Sequence, residues 1–166
     1  FIVKNVNIRH AADIDAIAGG LLPQKSRSVG FFTFSMDYHL YGPNVKGYHV
    51  TNFIIHLLTG ICVWLLTRLI WQLPGMLIVG GRLVENISLG AALLFVAHPV
   101  QTQSVTYISQ RFESLATLFY LLSLILFIWA RVNAKRRGEQ IIAFSTFAIT
   151  SVLGMLTKEI TLSLPL

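Results

Sequence analysis

The sequence predicts an all-α polytopic membrane protein, a bundle of helices that cross the bilayer. Of its 166 residues, 54% are hydrophobic and only 12% are charged, about half the charged fraction of an ordinary globular domain. The apolar residues are clustered, and a helix needs about 20 largely apolar residues to cross a bilayer. Windows without charged residues cover 47–67, 86–110, 114–130 and 140–157. Buried helices of a soluble protein are the alternative, but they are seldom this long and unbroken.

The chain divides into an N-terminal region, 1–47, and a transmembrane bundle, 48–166. The predicted spans cover 48–70, 84–100, 114–132 and 140–157, and another starts at 160. Pro99 is expected to end or bend the second span, because proline has no N–H and clashes with the preceding turn. The chain starts at Phe1 and ends inside an apolar run, so we expect it to be a fragment of a longer protein.

The N-terminal region is expected to be an extracytoplasmic loop that carries short interfacial helices. One helical pattern covers 11–18. In a second helix, Phe31, Phe34 and Tyr38 share one face, and aromatic rings favour the membrane interface. A core helix of a small soluble subdomain is the alternative. Gly42-Pro43 is expected to end this helix.

The basic loop after the third span sets the predicted orientation. Arg131, Lys135, Arg136 and Arg137 lie within seven residues, and loops rich in Lys and Arg face the cytoplasm. Alternation then places the candidate ionic residues together on the extracytoplasmic face of a multi-pass protein. They are Arg27, Asp37, His49, His98, Arg111, Glu113, Lys158 and Glu159. The net charge of +6 is therefore interpreted as an orientation signal, and no nucleic-acid partner is expected.

The loop 98–113 is the strongest candidate for a site, because it holds more polar side chains than a turn requires and loops are where sites are usually built. Arg111 and Lys158 are suited to bind an anionic phosphate, and Glu113 is suited to orient a nucleophile or to act as a general base. The alternative for Arg111 and Glu113 is a structural ion pair at a helix start. For Lys158-Glu159 it is a snorkelling pair at the end of a span.

His49, Asn52 and His56 form a polar stripe on the first span. Polar groups in a span face protein or a water-filled cavity, so the stripe either bonds a neighbouring helix or serves a function. A metal site is not favoured, because no cysteine or carboxylate lies at ligand spacing. Cys62 is the only cysteine, so no internal disulfide is possible.

Several ordered motifs resemble one family of membrane enzymes. The segments are YHLYGPN at 38–44, GYHVTNFIIHLL at 47–58, HPVQT at 98–102 and GMLTKE at 154–159, with Arg111 between the last two. The series resembles the membrane half of the transmembrane-and-tetratricopeptide-repeat protein O-mannosyltransferases and their bacterial relatives. These are glycosyltransferases of the GT-C class.

The resemblance implies a GT-C-like bundle in a bacterial inner membrane or the endoplasmic reticulum, with a TPR repeat domain downstream. The donor would be a mannose-like sugar on a polyprenyl phosphate, and the acceptor a Ser or Thr hydroxyl, or another exported acceptor. Transfer would invert the anomeric centre. No cofactor is certain, and a divalent metal stays open.

The resemblance also assigns roles to residues of this chain. An acidic catalytic pair is expected just before Phe1, outside the given sequence. Glu113 matches the next acidic position, whereas Arg111 and the Lys158-Glu159 pair match the basic and Lys-Glu positions. Arg27, His49 and His98 complete the set expected to bind substrate or phosphate. Many relatives carry His and Glu where this chain has Gln101 and Gln103, which argues against a catalytic or metal role there.

The leading hypothesis is a lipid-linked-sugar-dependent glycosyltransferase. A non-catalytic membrane scaffold or assembly protein on the same fold is the alternative, and two adjacent acidic residues upstream of Phe1 would favour the enzyme. A transporter is the third hypothesis. It expects polar residues at mid-span on several helices, and only the His49, Asn52 and His56 stripe offers them.

Overall fold

The structure is a computed structural model that describes residues 27–76, 80–158 and 161. In this part of the chain the regular structure is helical and no strand occurs, as predicted. The α-helices are α1 Ser28–Tyr41, α2 Val45–Ile70, α3 Gly81–Ala97, α4 Thr102–Thr106, α5 Arg111–Val132 and α6 Arg137–Met155. Short 3-10 helices, Pro99–Gln101 and Ile108–Gln110, flank α4. The expected helix at 11–18, Glu159 and the start of a further span at 160 lie outside the described residues.

Among the residues that the structure describes, three helical segments are long and apolar enough to cross a membrane: Val45–Ile70, Ile108–Val132 and Arg137–Met155. The second predicted span, 84–100, differs. Its helix ends at Ala97, and the chain bends by 51° into Pro99–Thr106, so the pair is either a broken span or a re-entrant loop. The bend confirms the expected effect of Pro99, which has no N–H and cannot continue the helix.

Helix α2 is at the centre of the bundle and packs against α1, α3, α4 and α5, while α6 packs against α5. Cys62, Leu69 and Ile125 form an apolar cluster between α2 and α5. Small residues bring the other helices close, as is usual in membranes. The side chain of Val96 on α3 fills the space beside Gly60, and Ser123 Oγ donates to Thr150 Oγ1 at 2.9 Å between α5 and α6.

The aromatic face of α1 packs against protein, which corrects its predicted place in the membrane interface. Phe31 and Phe34 are buried together with Tyr48 of α2 and Phe112 of α5. The ring centroids of Phe31 and Phe34 lie 5.3 and 5.4 Å from that of Phe112, which is a favourable distance for aromatic pairs. The large apolar residues that α1 exposes are Phe32, Met36, Leu40 and Tyr41. Burial of the aromatic face releases more free energy than its exposure to a polar interface.

Glycine determines how α1 ends and how closely it approaches α5. Gly42 has φ +57° at the C-terminus of α1, a left-handed conformation that costs little only for glycine, and this confirms the predicted end of the helix. Gly30 faces the Phe112 ring, and a Cβ at this position would overlap the ring atoms. After the turn, α2 begins at Val45, where the Asn44 side chain accepts a hydrogen bond from Lys46 N.

Candidate functional site

Arg111, the first residue of α5, is completely buried among α1 and α2. Its Nε donates to Asn52 Oδ1 at 2.7 Å and its Nη2 donates to the Tyr48 carbonyl at 3.0 Å. Its Nη1 donates to the Thr33 carbonyl at 3.4 Å and pairs with Asp37 Oδ2 at 2.6 Å. All three guanidinium nitrogens therefore have protein partners.

Asp37 supplies the negative charge that this buried guanidinium requires. Its side chain is 6% exposed, and its Oδ1 accepts a hydrogen bond from Thr51 Oγ1 at 2.9 Å. The Arg111 guanidinium also lies over the Phe34 ring, 4.2 Å from its centroid. We call Asp37, Asn52 and Arg111 the buried ionic cluster. It joins α1, α2 and α5, so the alternative of an ion pair between Arg111 and Glu113 is wrong.

The polar stripe of α2 bonds the polar loop and the end of α3. His49 Nδ1 lies 3.1 Å from the Val105 carbonyl, and Asn52 Nδ2 donates to the Tyr107 carbonyl at 3.4 Å. One turn further on, His56 Nε2 lies 3.1 Å from the Val96 carbonyl. The geometry agrees with the structural alternative for this stripe, because each member bonds a backbone carbonyl of a neighbouring segment. Binding of phosphate by His49 stays a prediction.

Glu113 and Lys158 form an ion pair between the first turn of α5 and the segment after α6. Their side chains are 47% and 27% exposed, so both remain within reach of solvent and of a ligand. The structure thus brings together two residues that the sequence selected separately. The snorkelling alternative paired Lys158 with Glu159, which lies outside the described residues.

Arg27 lies beside the first turn of α5, at the start of α1. Its guanidinium carbon lies 5.7 Å from the centroid of the Phe112 ring, next in sequence to Glu113. Val29 N donates to the Leu156 carbonyl at 3.2 Å, which holds the start of α1 beside the segment that carries Lys158. Two cationic side chains therefore contact the first turn of α5.

A cavity of about 110 Å³ opens next to Glu113, between α2, α3, α4 and α5. It is lined by His56, Thr59, Phe95, Gln101, Ser104, Glu113, Ser114 and Thr117, and we call it the polar cavity. An engineered cavity of about 150 Å³ holds a benzene ring, so the polar cavity is smaller than one six-membered ring requires, and a ring bound here would lie partly outside its opening. Apolar rings and a few polar groups are the usual lining of a ligand site.

Several lining residues were missed by the sequence analysis. Thr59, Ser104, Ser114 and Thr117 carry hydroxyls, which are common in any membrane helix, and Phe95 looks like an ordinary apolar residue. The one available signal was the spacing of Ser114 and Thr117, which puts both on one helical face beside Glu113. Gln101 lines the polar cavity, although the sequence argued against a catalytic or metal role for it.

His98 is exposed and caps the 3-10 helix that follows it, since its Nδ1 accepts a hydrogen bond from Val100 N at 3.2 Å. It is not among the residues that line the polar cavity. Its predicted role in binding phosphate therefore stays a prediction. Among residues 27–76, 80–158 and 161, no group of three His, Cys, Asp or Glu side chains is arranged to hold a metal ion.

The chain is similar to proteins named as protein O-mannosyl-transferases. It is 32% identical to such a protein of Caenorhabditis elegans over 134 residues and 32% identical to TMTC4 of Homo sapiens over 143 residues, each match covering 80% of this chain. Tmtc3 of Drosophila melanogaster is 27% identical over 148 residues. The chain spans 17% and 19% of the length of the first two relatives. No protein-family model and no solved structure matches the chain.

Proposed function

Because the chain resembles the protein O-mannosyl-transferases over 80% of its length, we propose that it is the membrane part of a glycosyltransferase. The enzyme transfers a mannose-like sugar from a polyprenyl phosphate to a Ser or Thr hydroxyl of an exported protein. The observation that carries the proposal is the polar cavity, which opens beside the Glu113–Lys158 ion pair at one end of a membrane bundle. A lipid donor reaches such a site laterally from the bilayer.

In the proposed reaction the acceptor oxygen attacks the anomeric carbon of the donor. The new bond forms as the bond from that carbon to the phosphate oxygen breaks, and the configuration inverts. The hydroxyl proton passes to a carboxylate, and the phosphate leaves with the electron pair. The reaction therefore requires a base on one side of the sugar and a positive charge beside the phosphate.

Lys158 and Arg27 are suited to the phosphate side, because cations placed where negative charge develops stabilise the transition state. Glu113 is suited to orient the acceptor hydroxyl or to assist the base, and a general base contributes about 10²–10⁴-fold. The same carboxylate fixes the Lys158 ammonium. Removal of Glu113 thus affects both sides of the reaction.

Arg111 is suited to hold this arrangement in place rather than to contact the phosphate. It lies two residues before Glu113, and its three nitrogens already bind protein groups. Direct phosphate binding by Arg111 would require it to leave Asp37 in the interior, which is costly for a buried carboxylate. Substrate or phosphate contacts from His49, His98 and Glu159 stay part of the proposal.

The experiment is sugar transfer by the full-length protein in membranes, from polyprenyl-phosphate mannose to a Ser/Thr peptide. We expect Glu113→Gln to reduce transfer by about 10²-fold or more. Glu85→Gln is the matched control, because Glu85 also pairs with a cation near a helix end and its side chain is 44% exposed. Transfer by Glu113→Gln at the rate of the control would contradict the assigned role of Glu113.

The same assay separates the enzyme from a non-catalytic scaffold on this fold. The buried ionic cluster fits either function, since it only fixes helices. A wild-type protein that binds the lipid-linked sugar but transfers none to any Ser/Thr peptide would favour the scaffold. The orientation is tested by labelling, since our proposal places Glu113 and Arg136 in different compartments.

A further inference from the structure

We propose that the polar cavity binds the sugar ring of the donor through the hydroxyl protons of the sugar itself, while the phosphate stays outside, beside Lys158. The inference rests on the proposed function and adds to it which part of the donor each group holds. It follows from the hydrogen-bonding capacity that remains on the side chains around the cavity.

The hydroxyls that line the cavity have already donated their protons. A Ser or Thr hydroxyl has one proton to donate and two lone pairs that accept, whereas a backbone carbonyl only accepts. Each of the four hydroxyls donates to a carbonyl of its own helix or the adjoining turn. The bonds are Thr59 to Ile55 at 2.8 Å, Ser104 to Gln101 at 2.6 Å, Ser114 to Gln110 at 3.3 Å and Thr117 to Glu113 at 2.8 Å. Their remaining capacity is to accept.

The charged and aromatic members of the lining fit the same pattern. The Glu113 carboxylate only accepts. The His56 nitrogen that faces the Val96 carbonyl must carry a proton to bond it, so this N–H is already used. The side-chain amide of Gln101 is the one group of the lining with protons of its own to offer. The polar cavity is therefore rich in acceptors.

An acceptor-rich cavity suits a ligand that donates several hydrogen bonds. A sugar ring carries several hydroxyl protons, whereas a phosphate diester anion carries only acceptor oxygens, which find few donors among these side chains. The ring of Phe95, stacked on His56 with centroids 5.5 Å apart, adds an apolar surface for the C–H face of the sugar. Glu113 lies at the edge, between this cavity and Lys158.

The donor therefore extends past the Glu113 carboxylate. Its sugar ring lies among the hydroxyls of the polar cavity, and its phosphate lies beside the Lys158 ammonium. The anomeric bond would then lie near the Glu113 carboxylate. There the Glu113 carboxylate fixes the Lys158 ammonium beside the leaving phosphate. The assignment also predicts that the hydroxyls of α2 and α5 affect recognition of the sugar but not of the lipid phosphate.

The test measures binding of two lipids to the full-length protein in nanodiscs: polyprenyl-phosphate mannose and the same polyprenyl phosphate without sugar. We expect Thr117→Val and Thr59→Val each to weaken binding of the sugar-bearing lipid by about fivefold, the worth of one hydrogen bond. Neither variant should change binding of the sugar-free lipid. Lys158→Ala should weaken binding of both lipids.

Two controls keep this test specific. Thr146→Val removes an exposed hydroxyl on α6 with the same bond, 2.8 Å to the Ile142 carbonyl, and should leave both affinities unchanged. Thr117→Ser keeps a hydroxyl at this position and should bind the sugar-bearing lipid as the wild type does. A fold damaged by changes at this position would not bind it.

The inference is overturned if Thr117→Val weakens binding of both lipids equally, or if neither Thr59→Val nor Thr117→Val changes binding of either lipid. The glycosyltransferase proposal stays intact in both cases if the protein still transfers sugar. Wild-type protein that binds neither lipid would overturn both proposals.

Discussion

Two ion pairs at opposite ends of the bundle hold their charges in opposite ways. At the site end, where α2 and α5 begin, the side chains of Arg111 and Asp37 are 0% and 6% exposed. At the opposite end, where α2 ends and α3 begins, those of Arg68 and Glu85 are 43% and 44% exposed, with 3.0 Å between Arg68 Nε and Glu85 Oε2. The distances in the two pairs are similar, so their difference in burial decides what each pair contributes.

Burial makes a charge dependent on its partner. An exposed pair is screened by water and contributes about 0–1 kcal/mol, and either residue can be lost without leaving a charge in the interior. A buried pair contributes little more than an apolar pair of the same shape, but removing one member leaves an uncompensated charge. The site end is therefore the part of the bundle in which single substitutions have large effects.

Asp37→Ala is expected to have the largest effect, because it leaves the Arg111 guanidinium buried without its counter-charge. Breaking a buried pair typically costs about 3–5 kcal/mol. The measurement is thermal unfolding of the full-length protein in nanodiscs. The double variant Asp37→Leu with Arg111→Met removes both charges and should be less destabilised than Asp37→Ala. If the double variant unfolds at the same temperature as Asp37→Ala, or at a lower one, the unpaired Arg111 charge is not the cause of the destabilisation.

Gly30→Ala should have an intermediate effect at the same end. The new Cβ overlaps the Phe112 ring, and overpacking of a core costs about 1–3 kcal/mol. Gly138 at the opposite end has no neighbouring atom within 4 Å of the corresponding Cβ, so Gly138→Ala is the control and should not destabilise. If both variants unfold at the wild-type temperature, α1 does not pack against α5 as described.

Glu85→Gln should have the smallest effect. The pair with Arg68 is exposed, so its loss should cost about 1 kcal/mol at most, and the cost should decrease as salt is raised. Arg68 also lies over the Trp64 ring, 4.9 Å from its centroid, and keeps this contact in the variant. A loss of stability as large as that of Asp37→Ala would show that burial does not distinguish the two ends.

Local sequence patterns predicted the features that depend on neighbouring residues. The apolar windows predicted the helices, Gly42 predicted the end of α1, and Pro99 predicted the bend after α3. The face of α1 was identified correctly from its periodicity, but its surroundings were not. Phe31 and Phe34 could cover either a membrane interface or a protein core, and the choice depended on Phe112, which is about 80 residues away.

The sequence by itself determined the all-α membrane class, the polar segment at 98–113 and the residue types available for a site, because hydropathy and helical periodicity are properties of short segments. It did not predict that this segment folds into short helices and the first turn of α5. Only the tertiary structure decided that Arg111 pairs with Asp37, that Glu113 pairs with Lys158 and that hydroxyls of three helices line one cavity. These pairings depend on which helix faces meet. Local sequence does not say which faces will meet, so the partner of a charged residue is decided by packing.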